Sequence, residues 1–144
     1  MKKSISLVGM AGAGKSSIGK KLADHLGFNF IDSDLIIETE HQESLQRVLD
    51  MSGKENFLKI EEKALMSIEF NNTILATGGS AVFSELAMDY IRSRSSIIFI
   101  KVPYNKIIER VSNFSERGFL KTSDQTIQEA FVERQSLYKN FADY

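Results

Sequence analysis

Residues 5–26 read ISLVGMAGAGKSSIGKKLADHL, and this stretch decides the fold. Ile5 to Val8 form a short apolar run of strand length, closed by Gly9. From Ser16 onward Ile18, Leu22, Ala23 and Leu26 recur at helical spacing. Between the two, Gly9, Gly14, Lys15 and Ser16 satisfy GxxxxGK[ST], a pattern that a chain of this length meets by chance about once in 200 at average residue usage.

Strand, glycine loop and helix in that order have a physical purpose. Gly12 and Gly14 allow successive backbone N–H groups to turn inward around phosphate oxygens, and the helix beginning near Lys15 aims the positive end of its dipole at them. Lys15 then reaches the β and γ phosphates while the Ser16 hydroxyl coordinates Mg²⁺. The plainer alternative is a glycine turn that only caps a helix, with Lys15 solvated.

Working outward, Phe28 to Ile31 is a second strand closed by Asp32-Ser33-Asp34. From Leu35 through Glu69 the pattern is helical and polar, divided at Gly53. Thr73 to Ala76 is a buried strand running into Thr77-Gly78-Gly79-Ser80, followed by a helix over Ser84 to Ile91 and the most apolar strand, Ser96 to Val102. Pro103 opens the next helix, where its missing N–H is harmless. Residues 112–122 have no regular period and read as a mobile loop, and Asp124 to Phe141 is again helical. Strands alternating with helices predict an α/β fold with a parallel sheet and right-handed crossovers.

The 144 residues suit one domain, and 42% hydrophobic with 26% charged content is ordinary for a globular chain. A net charge of -1 supplies no basic field for nucleic acid, so any anion must be held locally. There is no cysteine and no apolar run long enough to span a bilayer, from which we expect a soluble cytoplasmic protein without a membrane partner. His25 and His41 sit in no metal-ligand pattern and read as solvated helix residues.

Among phosphate-loop proteins, a GTPase would need a guanine-reading motif such as NKxD. A motor-type ATPase would need an apolar strand ending in an acid, whereas Ile97 to Ile100 runs into Lys101. The stretches GMAGAGKSSIGKKLADHLGFNFIDSD (residues 9–34), FLKIE (57–61) and ATGGSAV (76–82) instead resemble shikimate kinase. The resemblance implies a doubly wound parallel sheet of the P-loop, nucleoside monophosphate kinase type, in strand order 2-3-1-4 with the family's fifth strand missing. It also implies a single domain over 1–144, with a substrate-binding subdomain at 33–61 and a lid at 112–122. The implied activity is transfer of the γ-phosphate of ATP, with Mg²⁺, to a hydroxyl of shikimate or a related compound.

The same resemblance assigns roles. Gly12, Ala13, Gly14, Lys15, Ser16 and Ser17 hold the nucleotide, with Arg110 as a further contact and Arg117 as the lid arginine that closes over the phosphates. Asp32 helps Ser16 hold Mg²⁺ through water, and Asp34 binds substrate hydroxyls and accepts the proton. Gly78 and Gly79 lie beside the substrate, and Arg134 grips its carboxylate, a task its planar fork suits. Lys15, Asp34 and Arg117 are thus the catalytic candidates. Taken alone, Asp32 and Asp34 would serve equally as helix caps, Gly78-Gly79 as a turn and Arg110 as a solvated helix residue.

Four positions depart from the family pattern. Leu58 stands where FRRIE would place a carboxylate-binding arginine, Ser80 where the glycine loop has its third glycine, and Gly118 where the lid arginine is followed by proline. Family members also continue past Tyr144, so strand Ser96 to Val102 is expected to be an exposed edge or covered by a second subunit, as a monomer or homodimer respectively. Two further readings stay open at this level. One, prompted by Leu58, is a kinase for another small hydroxyl metabolite; the other is a weak or inactive nucleotide-binding homologue.

Overall fold

The computed structural model describes residues 3–111, 119–122 and 124–144. Its sheet has four parallel strands, β1 (Ser4–Val8), β2 (Asn29–Asp32), β3 (Thr73–Ala76) and β4 (Ser95–Phe99), in the order β2-β3-β1-β4. This is the predicted doubly wound order. All of β3 and all but Ile5 of β1 are buried, as central parallel strands covered on both faces must be. Register pairs Leu7 with Ala76 and Asp32 with Ala76, so the loops leaving β1, β2 and β3 emerge side by side. That shared carboxyl edge is where open α/β sheets bind ligands.

The helices are α1 (Lys15–Leu26), α2 (Ser33–His41), α3 (Leu45–Ser52), α4 (Lys54–Met66), α5 (Glu85–Arg94), α6 (Tyr104–Arg110) and α7 (Ile127–Phe141). The single break expected between Leu35 and Glu69 is two breaks. Gly53 divides α3 from α4 as anticipated, but Gln42 also leaves the helix at φ 54, and Ser44 then caps α3 through its bond from Arg47 N. A glutamine carries no stop signal, which is why periodicity alone ran through it. Pro103 is the residue before α6 rather than its first turn. The last helix starts at Ile127 instead of Asp124, because Thr126 and Glu129 form a reciprocal capping box.

The fourth strand also differs from expectation. It ends at Phe99, three residues early, and its outer edge is partly paired: Phe99 N donates to Tyr144 O at 2.9 Å and Tyr144 N to Ile97 O at 3.2 Å. Those two bonds have the pattern of a parallel bridge. Asp143 adds its backbone N to Ile97 O at 2.8 Å and its carboxylate to Ile97 N at 2.8 Å. The expected open edge is therefore blunted by the chain's own last residues.

Two apolar clusters matter for the site. The larger packs Val8, Met10 and Leu75 of the sheet region against Leu65, Met88, Ile91 and Tyr138. The smaller gathers Ile37, Val48, Phe57 and Ala64 of α2, α3 and α4 with Leu120. It lies beside the main one and is built by α2, α3, α4 and Leu120 together. Among the described residues no helix is long and apolar enough to cross a membrane.

Candidate active site

The loop between β1 and α1 holds its shape through left-handed glycines. Gly12 at φ 85 and Gly14 at φ 95 occupy backbone conformations that a side chain disfavours, and Ala13 N bonds Met10 O at 3.0 Å to tighten the turn. Lys15, only 8% exposed, donates its Nζ to Gly9 O at 2.6 Å and Met10 O at 2.8 Å. Its ammonium is thus pinned over the loop's entrance. Beside it opens a cavity of about 340 Å³ lined by Gly12, Gly14, Lys15, Ser16, Ser17 and Arg110, among others. The volume falls within the range of small-ligand sites.

Ser16 and Asp32 meet on the floor of that cavity. Ser16 Oγ donates to Asp32 Oδ2 at 2.6 Å, while Asp32 Oδ1 accepts from Asp34 N at 3.0 Å. Asp32 is therefore both the cap of α2 and the acid beside the phosphate loop, so the two readings of this residue are one geometry. A hydroxyl and a carboxylate are hard oxygen donors, and Mg²⁺ is bound by one or two such groups together with substrate phosphates. Among the described residues no group of three or more histidine, cysteine or acidic side chains is arranged to hold a metal ion. The residues present fit Mg²⁺. Arg110 lies across the mouth, its Nη1 3.4 Å from Gly12 O and Ala13 O.

A second, smaller cavity of about 40 Å³ adjoins the first and shares Ala11, Asp34 and Gly79 with it. Arg134 forms one wall. It is 2% exposed, donates its Nη2 to Leu120 O and stacks 4.2 Å from the Phe119 ring centre, while its Nε has no partner among the described residues. Burial draws this guanidinium below its usual value, with Tyr138 and Glu61 opposing the shift. A desolvated cation with an unused donor is poised for an anion. Tyr138 OH donates to Gly79 O at 2.5 Å and fixes the glycine loop, and burial pushes its own pKa upward.

Reasoning from the sequence missed Glu61. It is 2% exposed, faces the same cavity, and accepts the Ser80 hydroxyl at 2.7 Å. Burial first, and then the neighbouring Asp34 charge, push its carboxyl up to about 7, against the lowering effects of Ser80, Arg134 and Lys15. The signal was present: Phe57, Glu61, Ala64 and Leu65 share the buried stripe of α4, and an acid on an apolar stripe calls for a partner.

A methyl built on Gly78 would stand 2.5 Å from Asp34 Oδ1 and 2.6 Å from Glu61 Oε2, so both acids close on this glycine. Gly78 N donates to Ser33 Oγ at 3.1 Å. Leu58 lies elsewhere, in a cleft with Lys54, Phe83 and Leu120, and packs on the smaller core. Ser80, where the family pattern has glycine, lines the second cavity and bonds Glu61. The lid assignments to Arg117 and Gly118 lie outside the described residues.

A phosphate cradle at the carboxyl edge of a 2-3-1-4 parallel sheet, beside a pocket with acids and an arginine, defines a P-loop phosphotransferase. The family model of shikimate kinase matches residues 11–144. The shikimate kinase of Francisella tularensis subsp. novicida is 35% identical over 145 residues, covering 98% of this chain and 82% of the relative. Among solved structures, the shikimate kinase from Acinetobacter baumannii in complex with shikimate superposes with a TM-score of 0.88 at 28% identity, covering all of this chain and 82% of that one. The Aquifex aeolicus enzyme gives 0.83 at 30% identity, covering 97% and 83%. The chain belongs to the shikimate kinase family, ATP-using phosphotransferases with an alcohol acceptor.

Proposed function

We propose that the chain transfers the γ-phosphate of MgATP to a hydroxyl of shikimate. The observation that carries this reading is the junction of two cavities at Asp34 and Gly79, one walled by Lys15 and Ser16 and the other by Arg134. A phosphate donor and a carboxylate-bearing alcohol can meet there across one acid.

Each residue has a distinct task in this reading. The amides from Gly12 to Ser17, Ala13 included, wrap the β-phosphate, and Lys15 leaves the Gly9 and Met10 carbonyls to follow charge onto the γ-phosphate. Ser16 directly, and Asp32 through water, would hold Mg²⁺, which would supply charge neutralisation to the phosphates. Asp34 orients the acceptor hydroxyl and takes its proton as the oxygen bonds to phosphorus and the bond to ADP breaks. Gly78 and Gly79 give the acceptor access to bare backbone, and Arg134 pairs its carboxylate. Arg110 and Arg117 stabilise negative charge on the transferring group.

We assign 33–61 as the acceptor-binding subdomain, supported by its separate cluster of Ile37, Val48 and Phe57, and 112–122 as the lid. A cytoplasmic monomer or homodimer with no nucleic-acid or membrane partner completes the reading; the net charge of -1 supports the lack of a nucleic-acid partner. The test is ADP release coupled to NADH oxidation across a panel of polyols and hydroxy acids that includes shikimate. Magnesium-dependent turnover with shikimate is expected; activity on other panel members but none on shikimate would overturn the substrate assignment.

A further inference from the structure

Ser80 sits just ahead of the 3-10 turn Ala81–Phe83, at a position where the family pattern has glycine. Its hydroxyl is not idle. It donates to Glu61 Oε1 at 2.7 Å in a place where Ser80 is 6% and Glu61 2% exposed. That bond fixes the rotation of the Glu61 carboxyl, and the remaining oxygen, Oε2, is the one that converges with Asp34 Oδ1 on Gly78. Two carboxyl groups, one from α2 and one from α4, thus bring one oxygen each to Gly78, and both groups line the cavity that Arg134 also lines.

We propose that Ser80 is a positioning residue for acceptor binding, which holds Glu61 so that it and Asp34 together receive hydrogen bonds from neighbouring hydroxyls of a polyhydroxylated acceptor. This rests on the reading that the second cavity takes the phosphate acceptor. Adjacent ring hydroxyls present two donors a few ångströms apart, which one carboxylate serves poorly and two converging ones serve well. A pocket with Leu58 outside it and a second acid inside it leans on hydroxyl recognition more than on a second cation. In this chain, specificity moves towards the hydroxyl face of the acceptor.

An ionised Glu61 accepts hydroxyl hydrogen bonds more strongly than the neutral acid, so the charges around it bear on the grip. Asp34 on α2 disfavours ionisation; Ser80, Arg134 on α7 and Lys15 on α1 favour it, and Tyr138 is the further titratable group within reach. No charged group of α3 or α5, which also pack on α4, is among those acting on it.

Ser80→Ala removes the hydroxyl and keeps the methylene; Ser80→Thr restores a hydroxyl. With Ser80→Ala the KM for shikimate should rise about 3–10-fold, the scale of one hydrogen bond, while the KM for ATP and kcat stay near wild type. The acidic limb of kcat/KM for the acceptor should move to higher pH, because the bond that lowers the Glu61 pKa is gone. Ser80→Thr should recover both. In parallel, ¹³C NMR titration of the Glu61 carboxyl without substrate should show a higher midpoint in Ser80→Ala than in wild type.

A variant that loses melting temperature but keeps the acceptor KM and the pH profile would reduce Ser80 to a structural role and overturn the proposal. Should wild type fail to phosphorylate shikimate at all, the substrate reading falls on that result alone. The NMR midpoint then still decides whether Ser80 governs Glu61, and an unchanged midpoint overturns the proposal.

Discussion

Gly78→Ala tests the acceptor site through a single methyl group. The new Cβ would lie 2.5 Å from Asp34 Oδ1 and 2.6 Å from Glu61 Oε2, where ordinary contact begins near 3.4 Å. Each carboxyl must therefore retreat by about 0.8–0.9 Å in a close-packed site. Glu61 is held by the Ser80 hydroxyl, and Asp34 stands in the first turn of α2 with its backbone N bonded to the cap, so the Glu61 carboxyl cannot simply swing away and the Asp34 backbone is fixed beneath its side chain. A misplacement of about 1 Å at a reacting group costs on the order of 100-fold in rate, and overpacking costs about 1–3 kcal/mol in stability. We expect kcat/KM for shikimate to fall about 100-fold, with MgATP affinity by calorimetry unchanged and a melting temperature lower by a few degrees. Gly79→Ala is the control: its nearest atoms are Ala11 N at 3.3 Å and Arg134 Nη1 at 3.4 Å, so its loss should be smaller. Activity of Gly78→Ala within about threefold of wild type would refute the convergence of the two acids on the acceptor.

Other substitutions separate the remaining roles. Lys15→Met should weaken MgATP binding by about 10–150-fold, the worth of a charged hydrogen bond, as read by calorimetry; unchanged affinity would remove Lys15 from the phosphate site. Asp32→Asn keeps a cap oxygen for Asp34 N, so melting should barely change while the magnesium concentration for half-maximal activity rises about 10–100-fold; a collapse of stability with normal magnesium dependence would reverse that assignment. Glu61 holds its proton in the folded state up to about 7, against 4.5 unfolded, so the folded chain binds the extra proton between those values. Stability therefore falls as pH rises from about 4.5 to about 7, by at most about 3 kcal/mol, and is flat above. Glu61→Gln should flatten that slope in urea melts at several pH values, and an unchanged slope would show that the proton resides elsewhere.

How much of this was legible beforehand depends on whether a feature is written in one segment or made by several. The phosphate loop is local: four residue types at fixed spacing between an apolar run and a helical stripe dictate glycine conformations that the structure reproduces at Gly12 and Gly14. Alternation of strands and helices announced a parallel α/β sheet, whereas its order, 2-3-1-4, was available only through the resemblance to shikimate kinase. Gln42 was illegible because nothing in a glutamine announces a helix end; the tertiary packing of α2 and α3 around Phe57 imposes it. The pairing of Tyr144 with β4 joins residues far apart in sequence, and no local pattern predicts which edge a tail will meet. Glu61 was missed for the opposite reason: its stripe was visible, but its significance depends on Ser80 and Asp34, which reach it from other elements.

The acceptor site follows from how its one buried cation is balanced. Arg134 has been taken almost wholly out of water, and its present partners are a Leu120 carbonyl, the Tyr138 hydroxyl, two aromatic faces and the field of Glu61. A carbonyl and ring quadrupoles return only part of the hydration a guanidinium loses, and Nε receives nothing from the described residues. In the proposed function, the carboxylate of the acceptor makes good that shortfall without a second cation at position 58. Leu58 meanwhile packs on the smaller core, where it helps keep Phe57 and Leu120 in place along the same cavity. What the chain loses in a second charged arm at position 58 it replaces with a firmly built wall: one desolvated arginine on one side, two converging acids on the other, and glycine between them.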